Sequence, residues 1–167
     1  MTSVDEPVHV VAYDPAWVEL GSALVARVRG ALRGLTVCEV EHIGSTAVPG
    51  LDAKPVIDVQ VGCVAGEFGV AVARVRELGF EHLGEAGVPG RAYLRRRTGQ
   101  AANVHVMALD GPLWAANLAF RDHLRAHPET AARYARVKRE AALAAGSLLA
   151  YSELKAATVA DIMRAAR

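Results

Sequence analysis

His42-Ile-Gly-Ser-Thr-Ala-Val-Pro-Gly-Leu-Asp-Ala-Lys-Pro-Val-Ile-Asp58 joins two strand-like segments through a Gly/Pro-rich turn, and its pattern decides the fold. Upstream, Thr36 to Ile43 is rich in β-formers, with Cys38, Val40 and His42 on one face and Glu39 and Glu41 on the other. Downstream, Pro55-Val-Ile-Asp-Val-Gln-Val-Gly alternates as a strand: Ile57, Val59 and Val61 point one way, Asp58 and Gln60 the other. Between the two, Gly44 lets the backbone approach a ligand closely, and Ser45 adds a hydroxyl beside free backbone N–H groups, which makes the turn an anion seat. Asp58 follows Ser45 by thirteen positions and is placed to face whatever the turn holds. On an otherwise apolar strand an unpaired carboxylate is costly, so Asp58 reads as functional.

Working outward, Asp14-Pro15 is a helix start, Asp as N-cap and Pro at N1; Trp17, Leu20, Leu24, Val28 and Leu32 then keep helical spacing, which predicts a helix over 15–33. A second helix is expected over 65–78, closed by Gly79, followed by a short β-like Phe80-Glu-His-Leu and two further strands at 91–98 and 102–109. Beyond Asp110 the pattern is helical: Pro112 opens one helix through Leu124, Pro128 another to Ala145, and a last one runs from Tyr151 to Arg164. A mixed sheet flanked by helices, with a helical C-terminal segment, is an α+β fold, read as one domain over 1–167.

The chain has 167 residues, 52% apolar and 22% charged, enough for a buried core and inconsistent with a disordered tail. Two cysteines, Cys38 and Cys63, exclude a disulfide scaffold and suggest a reduced, cytoplasmic setting; both fall on apolar strand faces as small core residues. The acidic start Met1-Thr-Ser-Val-Asp-Glu does not resemble a signal peptide. The longest apolar stretch, Ala141 to Tyr151, falls short of the ~20 residues of a membrane span, so no membrane partner is expected. The near-neutral total hides an asymmetry. Residues 1–90 carry 6 basic against 12 acidic side chains, and 91–167 carry 13 against 6. Folded around one cleft, an acidic wall fit for a divalent cation would face a basic wall fit for phosphate, unless the C-terminal arginines are simply solvated. With few aromatics and no stacking residues among the arginines, nucleic acid is not an expected partner.

The 42–58 block resembles the nucleotidyltransferase superfamily, whose pattern is a hydrophobic residue, Gly, Gly or Ser, and then an Asp-hydrophobic-acid strand. More narrowly, His42-Ile-Gly-Ser-Thr-Ala-Val-Pro-Gly-Leu with Ala53-Lys-Pro-Val-Ile-Asp58 is similar to the GrpB family, as are Tyr13-Asp-Pro-Ala-Trp17, Asn103-Val-His-Val106, Phe120-Arg-Asp-His-Leu-Arg125 and two Tyr-x-x-x-Lys pairs. The resemblance implies a nucleotidyltransferase-like mixed sheet in which Gly44 and Ser45 contact nucleotide phosphates and Asp58 binds Mg²⁺ or Mn²⁺. Some members of that family occur fused behind a dephospho-CoA kinase. Position 60 departs from the pattern: Gln60 has an oxygen but no charge, and the third acidic position is matched by Asn103 and His105. A metal at this site would therefore draw on Asp58, Gln60 and His105, with Glu39 or Glu41 as possible compensation, and histidine would suit a transition metal better than Mg²⁺.

Around this centre the candidate catalytic residues are Asp58 and Ser45, and the candidate ligand contacts are His42, Gly44, Ser45, Thr46, Lys54, Arg91, Arg121, Tyr134, Lys138, Tyr151 and Lys155. His42 either touches ligand or hydrogen-bonds the turn. His105 is either a satisfied core histidine or part of the site. Tyr134/Lys138 and Tyr151/Lys155 each share a helix face, where they either meet a phosphate or pack with a snorkelling lysine. A chain with three lysines places two of them there, and the third is Lys54. Arg95-Arg96-Arg97 reads as an edge strand protected by charge.

Two functions follow. The first is metal-dependent nucleotidyl transfer from a nucleoside triphosphate to an unknown acceptor. The second is a nucleotide- or phosphate-binding accessory module without catalysis, linked to coenzyme A metabolism. A third, a metal hydrolase built on His42, His105 and Glu41, requires those side chains to converge.

Overall fold

The computed structural model describes residues 4–36 and 38–167. The chain runs α1 (Ala16–Ala31), β1 (Cys38–Ile43), β2 (Ile57–Cys63), α2 (Phe68–Glu77), β3 (Glu81–His82), β4 (Ala92–Arg96), β5 (Ala102–Ala108), α3 (Pro112–Ala126), α4 (Pro128–Ala144) and α5 (Leu148–Ala165), with single 3-10 turns at Ser45–Ala47 and Ala65–Glu67. The five strands form one mixed sheet in the order β1-β2-β5-β4-β3. Only β2 and β5 run parallel; the other neighbours are antiparallel.

Period-2 alternation splits each strand between two environments. Ile57, Val59 and Val61 of β2, Val104 and Val106 of β5, and Leu94 of β4 are fully buried, and they pack with Trp17, Leu24 and Val28 of α1 and Ala71 and Val75 of α2 into the main core. Asp58 and Gln60, Asn103 and His105, and Tyr93 and Arg95 occupy the opposite face in register across β2, β5 and β4. That face is covered by the C-terminal helices, which hold a second core of Val48, Leu51, Leu124, Tyr134 and Ile162.

The element types match the sequence pattern, with informative differences at the ends. Asp14 does start α1, accepting the Ala16 N–H on its carboxylate at 2.9 Å, although the helix proper begins at Ala16. The strand expected from Thr36 begins at Cys38; Val37 lies outside the described residues, as do residues 1–3 of the acidic start. The final helix begins at Leu148, three residues before the expected Tyr151, because the Ser147 hydroxyl caps it by accepting the Ala150 N–H. The apolar stretch Ala141–Tyr151 is thereby broken between α4 and α5. Among the described residues no helix is long and apolar enough to cross a membrane.

The Arg95–Arg97 reading is corrected: β4 is flanked by β5 and β3, Arg95 and Arg97 are ion-paired, and Arg96 stacks over the Phe80 ring at 4.7 Å. Arg95 is buried against Glu6 and Glu81, and Arg97 binds Glu6 bidentately at 2.6 and 2.9 Å. The segment carrying Glu6 ties the sheet to the helical layer. Its Glu6 carbonyl accepts the Leu148 N–H, the Asp5 carboxylate accepts that of Leu149, and Val11 bridges to Ala53.

Candidate functional site

The turn after β1 requires glycine. Gly44 has φ +74 and ψ −172, a backbone region that side chains avoid, and a Cβ there would lie 3.2 Å from both Cβ and Oδ2 of Asp58. The missing side chain therefore brings the Gly44-Ser45 turn directly against the carboxylate. Burial pushes the Tyr134 pKa up, and half-buried Ser45 lies close enough to that phenol of α4 to favour its ionised form in opposition.

Asp58 is held by its neighbours on β5. Asn103 Nδ2 donates to Oδ1 at 2.8 Å, and His105 Nε2 lies 2.9 Å from the same oxygen. Asn103 is oriented in turn: its Oδ1 accepts the Tyr93 hydroxyl at 3.0 Å and an Arg97 N–H at 3.1 Å, while Glu6 holds Arg97. On the far side of His105, the Arg91 guanidinium lies 3.5 Å from Nδ1 and stacks over the Tyr93 ring, fixed by the carbonyls of Glu85 and Ala86. Burial alone would raise the Asp58 pKa, but the hydrogen bond and attraction of His105, the Lys54 charge and the Asn103 hydrogen bond outweigh it and hold the carboxyl at about 2.

All three lysines of the chain come to this centre from different elements: Lys54 from the segment before β2, Lys138 from α4 and Lys155 from α5. Lys54 and Lys155 are within electrostatic reach of Asp58 and of each other, and Lys138 is within reach of both. Each i,i+4 pair makes a cation–π contact, Lys138 Nζ 4.8 Å from the Tyr134 centroid and Lys155 Nζ 4.7 Å from that of Tyr151. Lys138, 1% exposed, also donates to the Asp52 carbonyl; burial and then repulsion from Lys155 lower its pKa to about 7, opposed by Asp52, while Lys54 lowers it further. Burial likewise depresses Lys54 and Lys155, with Asp58 opposing in both cases. Where the charge asymmetry predicts an acidic wall against a basic one, the structure has one half-buried carboxylate, Asp58, with Lys54 and Lys155 in electrostatic reach and Lys138 beyond them.

Other candidates lie elsewhere. His42 shares its face with Val40, so alternation turns it toward α1, where Gly21 makes room for it: a Cβ on Gly21 would sit 2.1 Å from His42 Nδ1. Its Nε2 is 2.9 Å from the Thr46 hydroxyl, and burial, outweighing the attraction of Asp58, lowers its pKa to about 4, with Arg125 and Arg121 adding to the fall. His42 and buried Thr46 thus brace the turn from behind, the second of the two roles open to His42. Arg121, expected on the phosphates, is spent on Glu41, the His42 carbonyl and Asp122, tying α3 to β1. Gln60 is fully buried; its Oε1 accepts from Asn117 Nδ2 at 2.9 Å and its amide donates to the Trp114 carbonyl, so as a metal ligand it is corrected to a bond between sheet and α3.

The residues do not fit a two-cation centre. Asp58 is the sole carboxylate in the superfamily positions, its Oδ1 is taken by two partners, Gln60 is committed to α3, and His105 pairs with Asp58 instead of standing free. Among the described residues no three His, Cys, Asp or Glu side chains are grouped to hold a metal. The hydrolase set is not assembled either, since His42 lies on the opposite face of the sheet from His105 and the Glu41 carboxylate is paired with Arg121. Sequence reading missed Tyr93 and Arg97, whose place opposite Leu94 in the alternation was a usable signal, and Glu6, for which a separation of 91 positions left none.

Comparison with known proteins places the arrangement. The family described as GrpB protein matches residues 7–165. The UPF0157 protein of Pseudomonas aeruginosa is 38% identical over 142 residues, covering 80% of this chain and 57% of that one. A dephospho-CoA kinase of Mycobacterium leprae is 29% identical over 195 residues, covering 98% of this chain and 47% of its own. This chain thus spans about half the length of those relatives. The crystal structure of the conserved protein GrpB from Enterococcus faecalis superposes with TM-score 0.83 at 34% identity, over 95% of this chain and 96% of that one. The Cid1 poly(U) polymerase, solved with Mg 3'-dATP bound, shares the fold with TM-score 0.53 at 16% identity, over 78% of this chain and 41% of its own. With the Gly44-Ser45 turn against Asp58 on a mixed sheet of this order, the chain belongs to the GrpB family and has a nucleotidyltransferase-like fold.

Proposed function

We propose that this protein binds a nucleotide or another phosphate-bearing small molecule, with the phosphates on the Gly44-Ser45 turn beneath Lys54, Lys138 and Lys155. One observation carries this reading: Lys54 and Lys155, from separate elements, lie within electrostatic reach of the carboxylate that touches the Gly-Ser turn, and Lys138, held on the Asp52 carbonyl, lies within reach of both lysines. Holding three mutually repelling ammonium groups, one buried and two half-buried, is unfavourable in isolation, and a polyanion between them relieves both costs. Tyr134 and Tyr151 set the lysine heads and offer ring faces, and Arg91 stands beyond His105, 3.5 Å from its Nδ1.

Thermal unfolding against the four nucleoside triphosphates, coenzyme A precursors and inorganic phosphate tests the reading, since a ligand of the native state raises the midpoint. A rise with at least one phosphate ligand, lost in Lys155→Met, is expected; no rise with any of them would refute it. Metal-dependent nucleotidyl transfer is the reading favoured by the contact of Gly44 with Asp58 on this fold. It asks Asp58 to hold Mg²⁺ or Mn²⁺ with companions that the cleft does not furnish, and pyrophosphate release on incubation with a triphosphate would be needed to sustain it. The accessory-module alternative, with a link to coenzyme A metabolism, is supported by the likeness to a dephospho-CoA kinase and predicts binding without turnover.

A further inference from the structure

In a metal-dependent phosphoryl site, hard cations neutralise the polyphosphate and carboxylates hold the cations. This cleft inverts that allocation. Of the positions that would carry carboxylates, one is Gln60, bonded into α3, and another is His105, pointed at Asp58. The positive charge is instead covalent, on Lys54, Lys138 and Lys155, while Arg97 is neutralised by Glu6 and supports Asn103. Asp58 touches no cation-binding partner of its own sign; it anchors Asn103 and His105 and serves as the counter-charge that keeps Lys54 and Lys155 together when ligand is absent.

From this placement, and resting on the phosphate-binding reading above, we infer that the three lysine ammonium groups replace the divalent cations, so that the site takes the metal-free form of a linear di- or triphosphate group. The inference names the ligand's ionic form. An uncomplexed pyrophosphate or triphosphate carries several negative charges, which matches three ammonium groups arriving from three directions, whereas the Mg²⁺ complex has surrendered part of that charge and brings a cation toward Lys54 and Lys155. Asp58 is then an electrostatic competitor of the ligand, not its metal bridge.

Isothermal titration of the full chain with inorganic pyrophosphate and triphosphate, once in EDTA and once in excess Mg²⁺, separates the possibilities. The expected result is binding in EDTA at least severalfold tighter than in Mg²⁺, loss of tenfold or more in affinity in Lys54→Met and in Lys155→Met with partial recovery in Lys155→Arg, and severalfold tighter binding in Asp58→Asn. Far-ultraviolet circular dichroism and a cooperative unfolding transition lying above the titration temperature show that Lys155→Met and Asp58→Asn are folded when titrated. Binding that appears only with Mg²⁺, or that vanishes in Asp58→Asn while the variant is folded, overturns the inference and leaves the phosphate reading standing. Binding in neither arm removes the phosphate reading itself.

Discussion

The two faces of the sheet use the same strands in opposite ways. Toward α1 and α2, β2 contributes Ile57, Val59 and Val61, all fully buried and backed by Leu94 and Val104; toward α3–α5 the same strand contributes Asp58 and Gln60, backed by Tyr93, Asn103 and His105. The first face gains from removing apolar surface from water, which is non-directional and tolerant of detail. The second gains only if each polar group finds a partner, and here each does: Gln60 with Asn117, Asn103 with Tyr93 and Arg97, and Asp58 with Asn103 and His105. The comparison teaches that period-2 alternation lets one strand anchor a core and present a charged site without either compromising the other.

The difference can be tested by breaking each face in turn. The largest effect is expected on the apolar face, where Leu94→Ala should cost about 2–5 kcal/mol in urea-unfolding stability while leaving phosphate binding per folded molecule intact. Gly44→Ala, which forces a side chain at positive φ into Asp58, should cost about 3 kcal/mol at most and also abolish phosphate binding. Asp58 is held at about 2, below its ordinary 3.8, so its charged form stabilises the native state by about 2 kcal/mol above pH 4, an advantage lost as pH falls toward 2; the gap between wild type and Asp58→Asn should close over that window. Lys138 shows the opposite sign. Its pKa of about 7 lies below that of the unfolded chain, so a penalty is fully present below pH 7 and is relieved as pH rises toward 10. Lys138→Met should therefore be more stable than wild type at pH 6, by about 1–2 kcal/mol, with the difference shrinking toward pH 10 in parallel urea titrations.

Much of the site was legible because it is local. Gly44, Ser45 and Asp58 stand within one turn and one strand, and the i,i+4 spacing of Tyr134/Lys138 and Tyr151/Lys155 correctly placed each ammonium beside its phenol. The misread residues share a different cause. Arg121 and Gln60 have the right chemistry and the right neighbourhood, but α3 crosses the sheet so that Glu41 captures the first and Asn117 the second. His42 was placed on the face of Val40 from alternation alone, and that face proved to be the one α1 covers.

By itself the sequence determined the element types, the alternation that sorts β2 into an apolar and a polar face, and the glycine that a close turn demands, because these depend on backbone sterics and on periods of 2 and 3.6 residues. Only the tertiary structure decided that β5 lies parallel beside β2, which brings Asn103 and His105 to Asp58, and that α4 and α5 fold back to deliver Lys138 and Lys155 to Lys54. The reason is physical: strand order and helix docking are set by which surfaces bury best together across the whole chain, and Glu6, reaching Arg97 across 91 positions, is fixed by that packing and by nothing in its own neighbourhood.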